Sequence, residues 1–504
     1  MIKTVIVQAG GLGSRLEYYT WNKPKCLLPL NGKPLLYHWF DKFPGSKFIV
    51  IVDYLSNVVE SWLKSFPPDV EFVLVKTEQK GTLGGLWDAL QHVPEGDNTA
   101  VLTWCDLFPD NLETNDLKFQ NNCLGVATTD DFTCRWSWQS QIEETSSNKQ
   151  GICGLFTFAN KDILLGMPQQ GEFVSWLSQA NVECFKIPVQ RLQEFGTLNE
   201  VQQYYKQQGH ARFFNNISIG EHTVVKSSKL AEFDYLINDE IQWYKHAEML
   251  GIKNIPAVYS FQPLTLSKIQ GVNPDQLAFS KTKRASLLDK IFQAFDIMHG
   301  LENVVSNKQD CWDMYISKTQ NRLTKLKTLR PDLLQTDYVN VNGRKCKNIL
   351  HKKYNHVIQE CFQYLPCEHF SFIHGDPTFC NTLVDADNIP WFLDPRGSFG
   401  STKLHGDSDY DWAKLYYSLV GQYDSFNKKL FCLEQHGYHV EVRIHSNGWQ
   451  HLQPMLEEKL QNKLAKVKIL HGLIWLSLVG YVQDDYDSIL ASFYQGLFYL
   501  ETSC

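Results

Sequence analysis

Two separate stretches of the sequence carry residue types that could act on nucleotides. The first is a glycine-rich loop at residues 8–16 (QAGGLGSRL), followed by Pro24 and Lys25. Glycines at positions 10, 11 and 13 allow backbone N–H groups to point at a triphosphate, which side chains there would obstruct. Arg15 and Lys25 could neutralise the phosphates as pyrophosphate leaves, so both are predicted to be catalytic.

The second stretch contains His374, Gly375 and Asp376, then Asn381, and Asp394 after an apolar run. An aspartate five residues before an asparagine, with another aspartate after a strand-like segment, is typical of kinase-like enzymes. Asp376 would accept the proton of a substrate hydroxyl, and is therefore predicted to be catalytic. Asn381 and Asp394 would hold Mg²⁺ on the phosphates of ATP.

The first half must position its loop with alternating strands and helices. Apolar runs at 2–8, 48–52, 71–75 and 100–104 are separated by helical patterns such as 58–66 and 83–93. This alternation predicts an α/β fold, Rossmann-like, with a mixed, mostly parallel sheet. Ligands of such sheets bind at the carboxyl ends of the strands.

The pattern changes after about residue 205. Residues 212–228 predict a β-hairpin with its turn at Gly220 and Glu221, and the chain from Glu240 onward is predicted to be largely helical. We therefore predict an α/β domain at 1–205 and an α+β domain at 206–504.

Composition narrows the possible partners. The net charge of -7 over 504 residues provides no basic field for nucleic acid, so small-molecule substrates are expected.

The thirteen cysteines lack CxxC spacing, which predicts reduced thiols. No uninterrupted apolar run reaches eighteen residues, and no leader pattern opens the chain, so no membrane insertion and a cytoplasmic location are predicted. A homo-oligomer remains possible.

The loop does not match two common nucleotide motifs. A dinucleotide-binding turn needs a glycine at position 16, where Leu16 stands, and the P-loop pattern is absent. The loop, Thr20, Pro24–Lys25 and residues 28–34 (LPLNGKP) together resemble the sugar-phosphate nucleotidyltransferase family, whose signature joins GGxGxRL to PKxLLPxxGKPLL.

The resemblance implies further roles in the first half. Asp106, in Trp104-Cys105-Asp106, matches a metal-binding aspartate, and Glu194 stands where the family usually has a second aspartate, so both would bind Mg²⁺. Gly154 and, by position only, Lys186 would contact the acceptor. The predicted nucleotide-binding residues are Ala9, Gly10, Gly11, Gly13, Ser14, Gly81, Thr82 and Gly84.

The second stretch resembles the aminoglycoside phosphotransferase and choline kinase superfamily, which phosphorylates small molecules. The resemblance implies that Lys226 binds ATP phosphates and pairs with Glu240, and that residues 263–271 hold adenine. His374 and Arg396 would bind substrate. Asp411 would cap a helix and brace the catalytic loop.

Together the two resemblances predict a bifunctional enzyme. They imply a nucleotidyltransferase domain at 1–205 and a protein-kinase-like domain at 206–504, with an N-lobe at about 210–270 and a helical C-lobe at about 271–504. ATP would phosphorylate a sugar or small alcohol, and a second NTP (CTP, UTP or GTP) would then donate its nucleotidyl group to that phosphate, for surface polysaccharide or glycan synthesis. Mg²⁺ is expected at both sites. Two alternatives stay open: a choline or amino-alcohol kinase joined to a cytidylyltransferase, and a monofunctional transferase with a regulatory pseudokinase domain.

Overall fold

The chain divides into two units in the computed structural model, which describes residues 2–96, 98–207 and 215–503. The first unit comprises Met1–Tyr204 and the distant segment Gln483–Asp487. The second comprises Tyr205–Val482 and Ser488–Cys504. The segment Gln483–Asp487 thus belongs to the first unit although nearly three hundred residues of the second precede it, which the sequence pattern did not predict.

The first unit alternates strands with helices. Its helices are α1 Leu35–Lys42, α2 Ser56–Ser65, α3 Gly81–Leu90, α4 Phe173–Leu177 and α5 Leu198–Gln207. Its strands are β1 Thr4–Gln8, β2 Pro29–Leu30, β3 Lys33–Pro34, β4 Lys47–Val52, β5 Phe72–Lys76, β6 Ala100–Trp104, β7 Leu107–Phe108, β8 Leu124–Thr129, β9 Ser137–Trp138, β10 Ile142–Glu143, β11 Gly151–Phe158, β12 Cys184–Pro188 and β13 Gln193–Glu194.

A mixed, mostly parallel sheet forms the centre of this unit, as predicted. Its main path runs β10-β9-β11-β6-β1-β4-β5, with β8 beside β11 and β12 beside β8. The four predicted strands β1, β4, β5 and β6 are parallel neighbours, with Thr4 opposite both Lys47 and Ala100. Because they point the same way, the loops after β1 and β6 emerge at one edge of the sheet.

Burial on both faces explains why the central strands read as continuous apolar runs. Val5, Ile6 and Val7 in β1 are completely buried, which is typical of parallel strands covered by helices on both sides. On one face Leu86 of α3 and Phe173 of α4 join a core that includes Ile6, Leu102 and other residues of the sheet. This core fixes the strand ends that carry the candidate site.

The second unit contains strands as well as helices. Its helices are α6 Asp234–Met249, α7 Lys281–Leu301, α8 Lys308–Trp312, α9 Lys318–Leu329, α10 Val357–Cys361, α11 Ser408–Leu419, α12 Tyr423–Asn427, α13 Gln453–Leu460, α14 Leu464–Tyr481 and α15 Tyr486–Ser503. Its strands are β14 Asn215–Ile219, β15 Thr223–Ser228, β16 Val258–Phe261, β17 Leu264–Ser267, β18 Asn303–Val305, β19 Tyr338–Val341, β20 Arg344–Lys347, β21 His369–Phe372, β22 Thr382–Val384, β23 Pro390–Phe392, β24 Ser398–Phe399, β25 Thr402–Lys403, β26 His405–Gly406, β27 Phe431–His436 and β28 His439–Ile444.

The predicted hairpin is present at the start of this unit. Strands β14 and β15 pair antiparallel, with Ile219 opposite Val224, and the sheet continues as β14-β15-β17-β16. The part of the predicted hairpin at residues 212–214 lies outside the described residues. Helix α6 packs beside this sheet, where Leu264 and Leu266 form one core with the buried Trp243 and Tyr244.

Two details of the sequence prediction for this unit were wrong. Helix α6 begins at Asp234, so Glu240 lies in its second turn and does not open it. The region predicted to be largely helical also contains the sheet β20-β19-β28-β27. Val440 and Val442 are buried in β28 while Glu441 and Arg443 are exposed, a two-residue alternation that predicts a strand.

One helical stretch in the described chain, Gln450–Tyr481, is long and apolar enough to cross a membrane by length and composition. Its most apolar window is 56% buried inside the protein. Within it, α14 packs closely against α9 and α11. A helix that packs against other helices inside a protein can be as apolar as a membrane-spanning helix.

Candidate active sites

A cluster of two cations and two carboxylates lies at the strand ends of the first unit. Lys25 Nζ is 2.7 Å from Oδ2 of Asp106, and the guanidinium of Arg15 is 4.0 Å from Glu194. Asp106 follows the end of β6, and Lys25 opens a short 3₁₀ turn after Pro24. The structure therefore brings together the four residues predicted as catalytic or metal-binding in this half.

Pairing of two short strands delivers Glu194 to this cluster. In the ladder between β13 and β7, Glu194 lies opposite Leu107, the neighbour of Asp106. The N–H of Phe195 also donates to the carbonyl of Asp106 at 3.0 Å. The backbone of Glu194 is thus held next to Asp106. This position is compatible with the prediction that Glu194 takes the place of the family's second aspartate.

The charges at this cluster suit a divalent cation. Asp106 Oδ1 is buried and has no hydrogen-bond partner in the described part of the chain. Burial and the negative charge of Asp106 raise the pKa of Glu194 to about 7, although Lys25 and Arg15 oppose the shift. Two carboxylate oxygens with an unsatisfied buried lone pair are a donor set that Mg²⁺ prefers.

The glycine-rich loop lies open to solvent beside this cluster. Gly11, Leu12, Ser14 and Arg15 are exposed, whereas Ala9 is buried at the end of β1. Gly13 has φ +64°, a left-handed conformation that glycine adopts without steric cost.

Residues predicted to approach the nucleoside start helix α3. Gly81 has φ +81°, and a Cβ there would lie 2.3 Å from the carbonyl oxygen of Gly171, so glycine is required. The side chain of Gln8 donates to the carbonyl of Thr82 at 2.7 Å, which ties this helix to the end of β1. Thr82 itself accepts the N–H of Phe173 at 2.8 Å. Gly84 is buried inside the same helix.

The two predicted acceptor contacts lie in different surroundings. Gly154 has φ +85° and packs flat on the ring of Trp104, where a Cβ would be 1.9 Å from a ring carbon. Lys186 in β12 donates to the carbonyl of Gln139 and to the side chain of Gln150. These contacts are not with Lys25 or Asp106, so an acceptor role for Lys186 stays a prediction.

Sequence reasoning missed Lys23, which is almost completely buried two residues before Lys25. Its ammonium lies 2.9 Å from Asp485 and also contacts Asp487, both in the distant segment of the first unit. Burial alone would lower the pKa of Lys23, but the two carboxylates raise it. No local signal could reveal the pairing, because over four hundred and fifty residues separate the partners.

The second unit has its own cluster around the loop that follows β21. Asp376 Oδ1 is 2.9 Å from the ammonium of Lys414, and Asp376 Oδ2 is 4.0 Å from Arg396. The side-chain amide of Asn381 donates to the carbonyl of Asp376 at 2.8 Å. This bond uses the nitrogen of Asn381 and not its side-chain oxygen, so the predicted metal-binding role of that oxygen stays a prediction.

A buried ion pair joins strand β15 to helix α6. Lys226 Nζ lies 2.7 Å from Oε1 of Glu240, which is the predicted pair, and the same ammonium contacts Asp394. Burial alone would lower the pKa of Lys226, but the carboxylates of Asp394 and Glu240 raise it. The ammonium is therefore held charged next to the aspartate predicted to bind metal.

Asp411 holds the backbone of the loop that contains Asp376. Its carboxylate accepts the N–H of His374 at 2.9 Å and the N–H of Gly375 at 2.7 Å, and it contacts the ring of His299. The bracing role was predicted, but the capping role was wrong. The N-cap of α11 is Asp407, whose side chain accepts the N–H of Asp409.

Residues 5–110, within the first unit, match the family model of MobA-like NTP transferase domains. The chain is 29% identical over 187 residues to D-glycero-alpha-D-manno-heptose 1-phosphate guanylyltransferase of Campylobacter jejuni, covering 33% of this chain and 80% of that protein. It is 30% identical over 106 residues to UTP--glucose-1-phosphate uridylyltransferase of Haloferax volcanii, covering 18% of this chain and 42% of that protein.

The chain thus spans less than half the length of the Haloferax relative. Among solved structures, HddC from Yersinia pseudotuberculosis complexed with GMP-PN is similar with 18% identity and a TM-score of 0.32. That similarity covers 41% of this chain and 97% of HddC.

Proposed function

We propose that this chain is a bifunctional enzyme, with a nucleotidyltransferase in the first unit and a small-molecule kinase in the second. The observation that carries the first activity is the cluster of Lys25, Asp106 and Glu194 beside the glycine-rich loop. The loop, Lys25 and Asp106 lie within residues 5–110, which match NTP transferase domains. The relatives' names, which specify transfer to sugar 1-phosphates, support an acceptor that is a phosphate ester.

In the first unit, the loop N–H groups and Arg15 would bind the triphosphate of an NTP. A phosphate oxygen of the acceptor attacks the α-phosphorus, a new P–O bond forms, and the bond to pyrophosphate breaks. Lys25 would neutralise the negative charge that collects on the leaving pyrophosphate. Asp106 and Glu194 would hold Mg²⁺, which supplies charge neutralisation at the α-phosphate when bound.

In the second unit, Asp376 would accept the proton of a substrate hydroxyl. The hydroxyl oxygen then forms a bond to the γ-phosphorus of ATP, and the bond to ADP breaks. Lys226, fixed by Glu240, would bind the ATP phosphates, while Asp394 and Asn381 offer the carboxylate and amide oxygens that Mg²⁺ prefers. The observation that carries this activity is the convergence of Lys226 and Glu240 with Asp394, which lies 168 residues after Lys226 in the chain.

The two reactions have a natural order. A kinase forms a phosphate ester, and a nucleotidyltransferase of this kind consumes one. We therefore propose that the second unit supplies the acceptor for the first, giving a nucleoside-diphosphate-activated precursor for surface polysaccharide or glycan synthesis in the cytoplasm. The rival pairing of a choline or amino-alcohol kinase with a cytidylyltransferase predicts a cationic acceptor instead.

A crossed pair of substitutions tests the proposal. Asp106→Asn should abolish pyrophosphate release and leave ADP production intact, and Asp376→Asn should do the reverse. Pyrophosphate release is measured with each NTP and a set of sugar and amino-alcohol phosphates, and ADP with ATP and the parent alcohols. The exposed Asp116→Asn and Asp387→Asn serve as matched controls.

Loss of both activities in either variant would contradict independent sites. ADP production that survives Asp376→Asn unchanged would overturn the kinase assignment and favour a regulatory, nucleotide-binding second unit.

A further inference from the structure

Three potential metal ligands converge in the second unit, outside the clusters around Asp106 and Asp376. His246 lies in α6, Glu302 follows the last residue of α7, and His405 opens β26. Nε2 of His246 lies 2.7 Å from Oε2 of Glu302, and Nε2 of His405 lies 2.9 Å from the same oxygen. The three ligand atoms all lie within 4.8 Å of one another. We call these three residues the histidine–glutamate cluster.

The second ring nitrogen of His405 indicates how this imidazole is used. Its Nδ1 lies 3.4 Å from the carbonyl oxygen of Lys403, and a carbonyl can only accept a hydrogen bond. A neutral ring that donates there from Nδ1 turns the lone pair of Nε2 toward the carboxylate of Glu302. Two lone pairs at this distance repel unless a proton or a metal ion lies between them. Metal-binding histidines commonly donate their other N–H to a backbone carbonyl in this way.

The electrostatic surroundings of the cluster favour a cation. The hydrogen bond with His246 lowers the pKa of Glu302 below its ordinary value, although burial opposes the shift, so Glu302 is a carboxylate at neutral pH. His246 lies in the last turn of α6, and Glu302 directly follows the 21 residues of α7. The C-terminal end of a helix carries partial negative charge, and here two such ends contribute.

The donor set suits zinc. Two imidazole nitrogens and one carboxylate oxygen, with a further position open to water, form a known type of Zn²⁺ site, whereas Mg²⁺ prefers oxygen ligands. The side chains of His246, Glu302 and His405 are 21%, 31% and 15% exposed, so water can reach the cluster. Zinc bonds of about 2.0–2.2 Å place tetrahedral ligand atoms about 3.4 Å apart. The ligand atoms would therefore need to separate only slightly to admit the ion.

The cluster links helix α6 to the strand that precedes Asp376. His405 lies opposite Phe372, the last residue of β21, in the ladder between β21 and β26. The buried ring of Phe372 has its centroid 5.4 Å from that of His246 and 6.4 Å from that of His405. Glu240, which holds Lys226, stands earlier in the same helix α6. A metal ion in the cluster would thus cross-link two elements that carry residues of the proposed kinase site.

We propose that His246, Glu302 and His405 bind one Zn²⁺ ion, with water completing its coordination, and that the ion fastens α6 to the end of β21. Binding replaces the proton held between ring and carboxylate, and that proton passes to solvent. Because the three ligands are brought together only by folding, the ion stabilises the folded state. The inference does not depend on the proposed kinase activity.

Zinc binding by the full chain, freed of metal by dialysis against a chelator, tests the site. Calorimetric titration with zinc chloride, in excess Mg²⁺ to occupy all-oxygen sites, should show one tightly bound ion per chain. His246→Gln and His405→Gln keep a side-chain N–H for Glu302 but lose the imidazole nitrogen. In each variant the dissociation constant for Zn²⁺ should rise at least about tenfold. Zinc should also raise the urea midpoint of wild type more than that of either variant.

A matched control and a spectroscopic probe identify the ligands. His356 is exposed and lies 3.8 Å from Glu360, so His356→Gln removes a histidine from a two-residue pair of the same types and should bind zinc as wild type does. Co²⁺ in place of Zn²⁺ should give the weak visible bands of nitrogen and oxygen ligands, and His405→Gln should lose them. Cysteine ligands would instead add an intense near-ultraviolet band.

Three results would overturn the inference. Equal zinc affinity in wild type, His246→Gln and His405→Gln would place the ion elsewhere, a thiolate band would assign it to cysteines, and a folded wild type that binds no zinc would exclude the site. Circular dichroism without zinc checks that each variant is folded, and Glu302→Gln repeats the test if a histidine variant is not. None of these measurements uses ATP or an acceptor, so a failure of the kinase assignment would be seen separately.

Discussion

The carboxylate of Asp411 accepts the backbone N–H of Gly375 at 2.7 Å, across a sequence separation of 36 residues. It also accepts the N–H of His374, and it is completely buried. Two backbone donors of the loop before Asp376 therefore depend on one anionic side chain. Asp411 thereby holds the backbone that immediately precedes the proposed base.

Asp411→Asn should weaken both the fold and the kinase activity. An amide can accept with its oxygen but presents N–H groups on the other side, so one buried backbone donor loses its partner, which costs about 1–3 kcal/mol. We expect a lower free energy of unfolding by urea denaturation and a lower kcat for ADP formation. Asp289→Asn, exposed on α7, is the matched control. A variant with unchanged kcat would contradict the bracing role.

Glu194→Gln should weaken Mg²⁺ binding by the first unit. The neutral amide removes one negative charge from the pair formed with Asp106, so the Mg²⁺ concentration for half-maximal pyrophosphate release should rise at least about tenfold. Glu194→Asp, which keeps the charge on a shorter side chain, should lie between the two. The exposed Glu113→Gln should behave as wild type. An unchanged Mg²⁺ dependence in Glu194→Gln would exclude Glu194 as a ligand.

Asp424 should make the stability of the second unit pH-dependent. It is buried and accepts the N–H of Cys380, next to Asn381, at 2.7 Å. Burial and the negative charge of Asp275 raise its pKa from its ordinary value of 3.8 to about 7. The folded state thus binds this proton more tightly than the unfolded state. The resulting stability is complete below about pH 4 and is lost as the pH rises through about 7.

Asp424→Asn removes that titration while keeping an oxygen to accept the Cys380 N–H. Urea denaturation between pH 5 and pH 8 should show the free energy of unfolding falling more steeply for wild type than for the variant. Asp387→Asn, which is exposed, should follow wild type. Parallel curves for wild type and Asp424→Asn would show that this carboxyl does not titrate as proposed.

The sequence predicted most of the first unit because its elements are local and strongly patterned. Strands β1, β4, β5 and β6 are short apolar runs between turn residues, and burial on both faces produces such runs directly. The four-stranded sheet of β19, β20, β27 and β28 was not predicted, because its strands are short and are polar on the exposed face. Asp407 was not predicted as the N-cap of α11, because Asp409 and Asp411 lie within four residues of it and carry the same side chain.

The sequence by itself determined the residue types of both candidate sites: the glycines with Arg15 and Lys25, and the series from His374 to Asp394. Those motifs are contiguous, and their chemistry follows from side-chain type and spacing. Tertiary structure alone decided that Glu194 lies beside Asp106, that Lys23 pairs with Asp485 and that Lys226 contacts Asp394. The physical reason is distance along the chain, because burial and charge at each of these points depend on side chains from elements that only folding brings together.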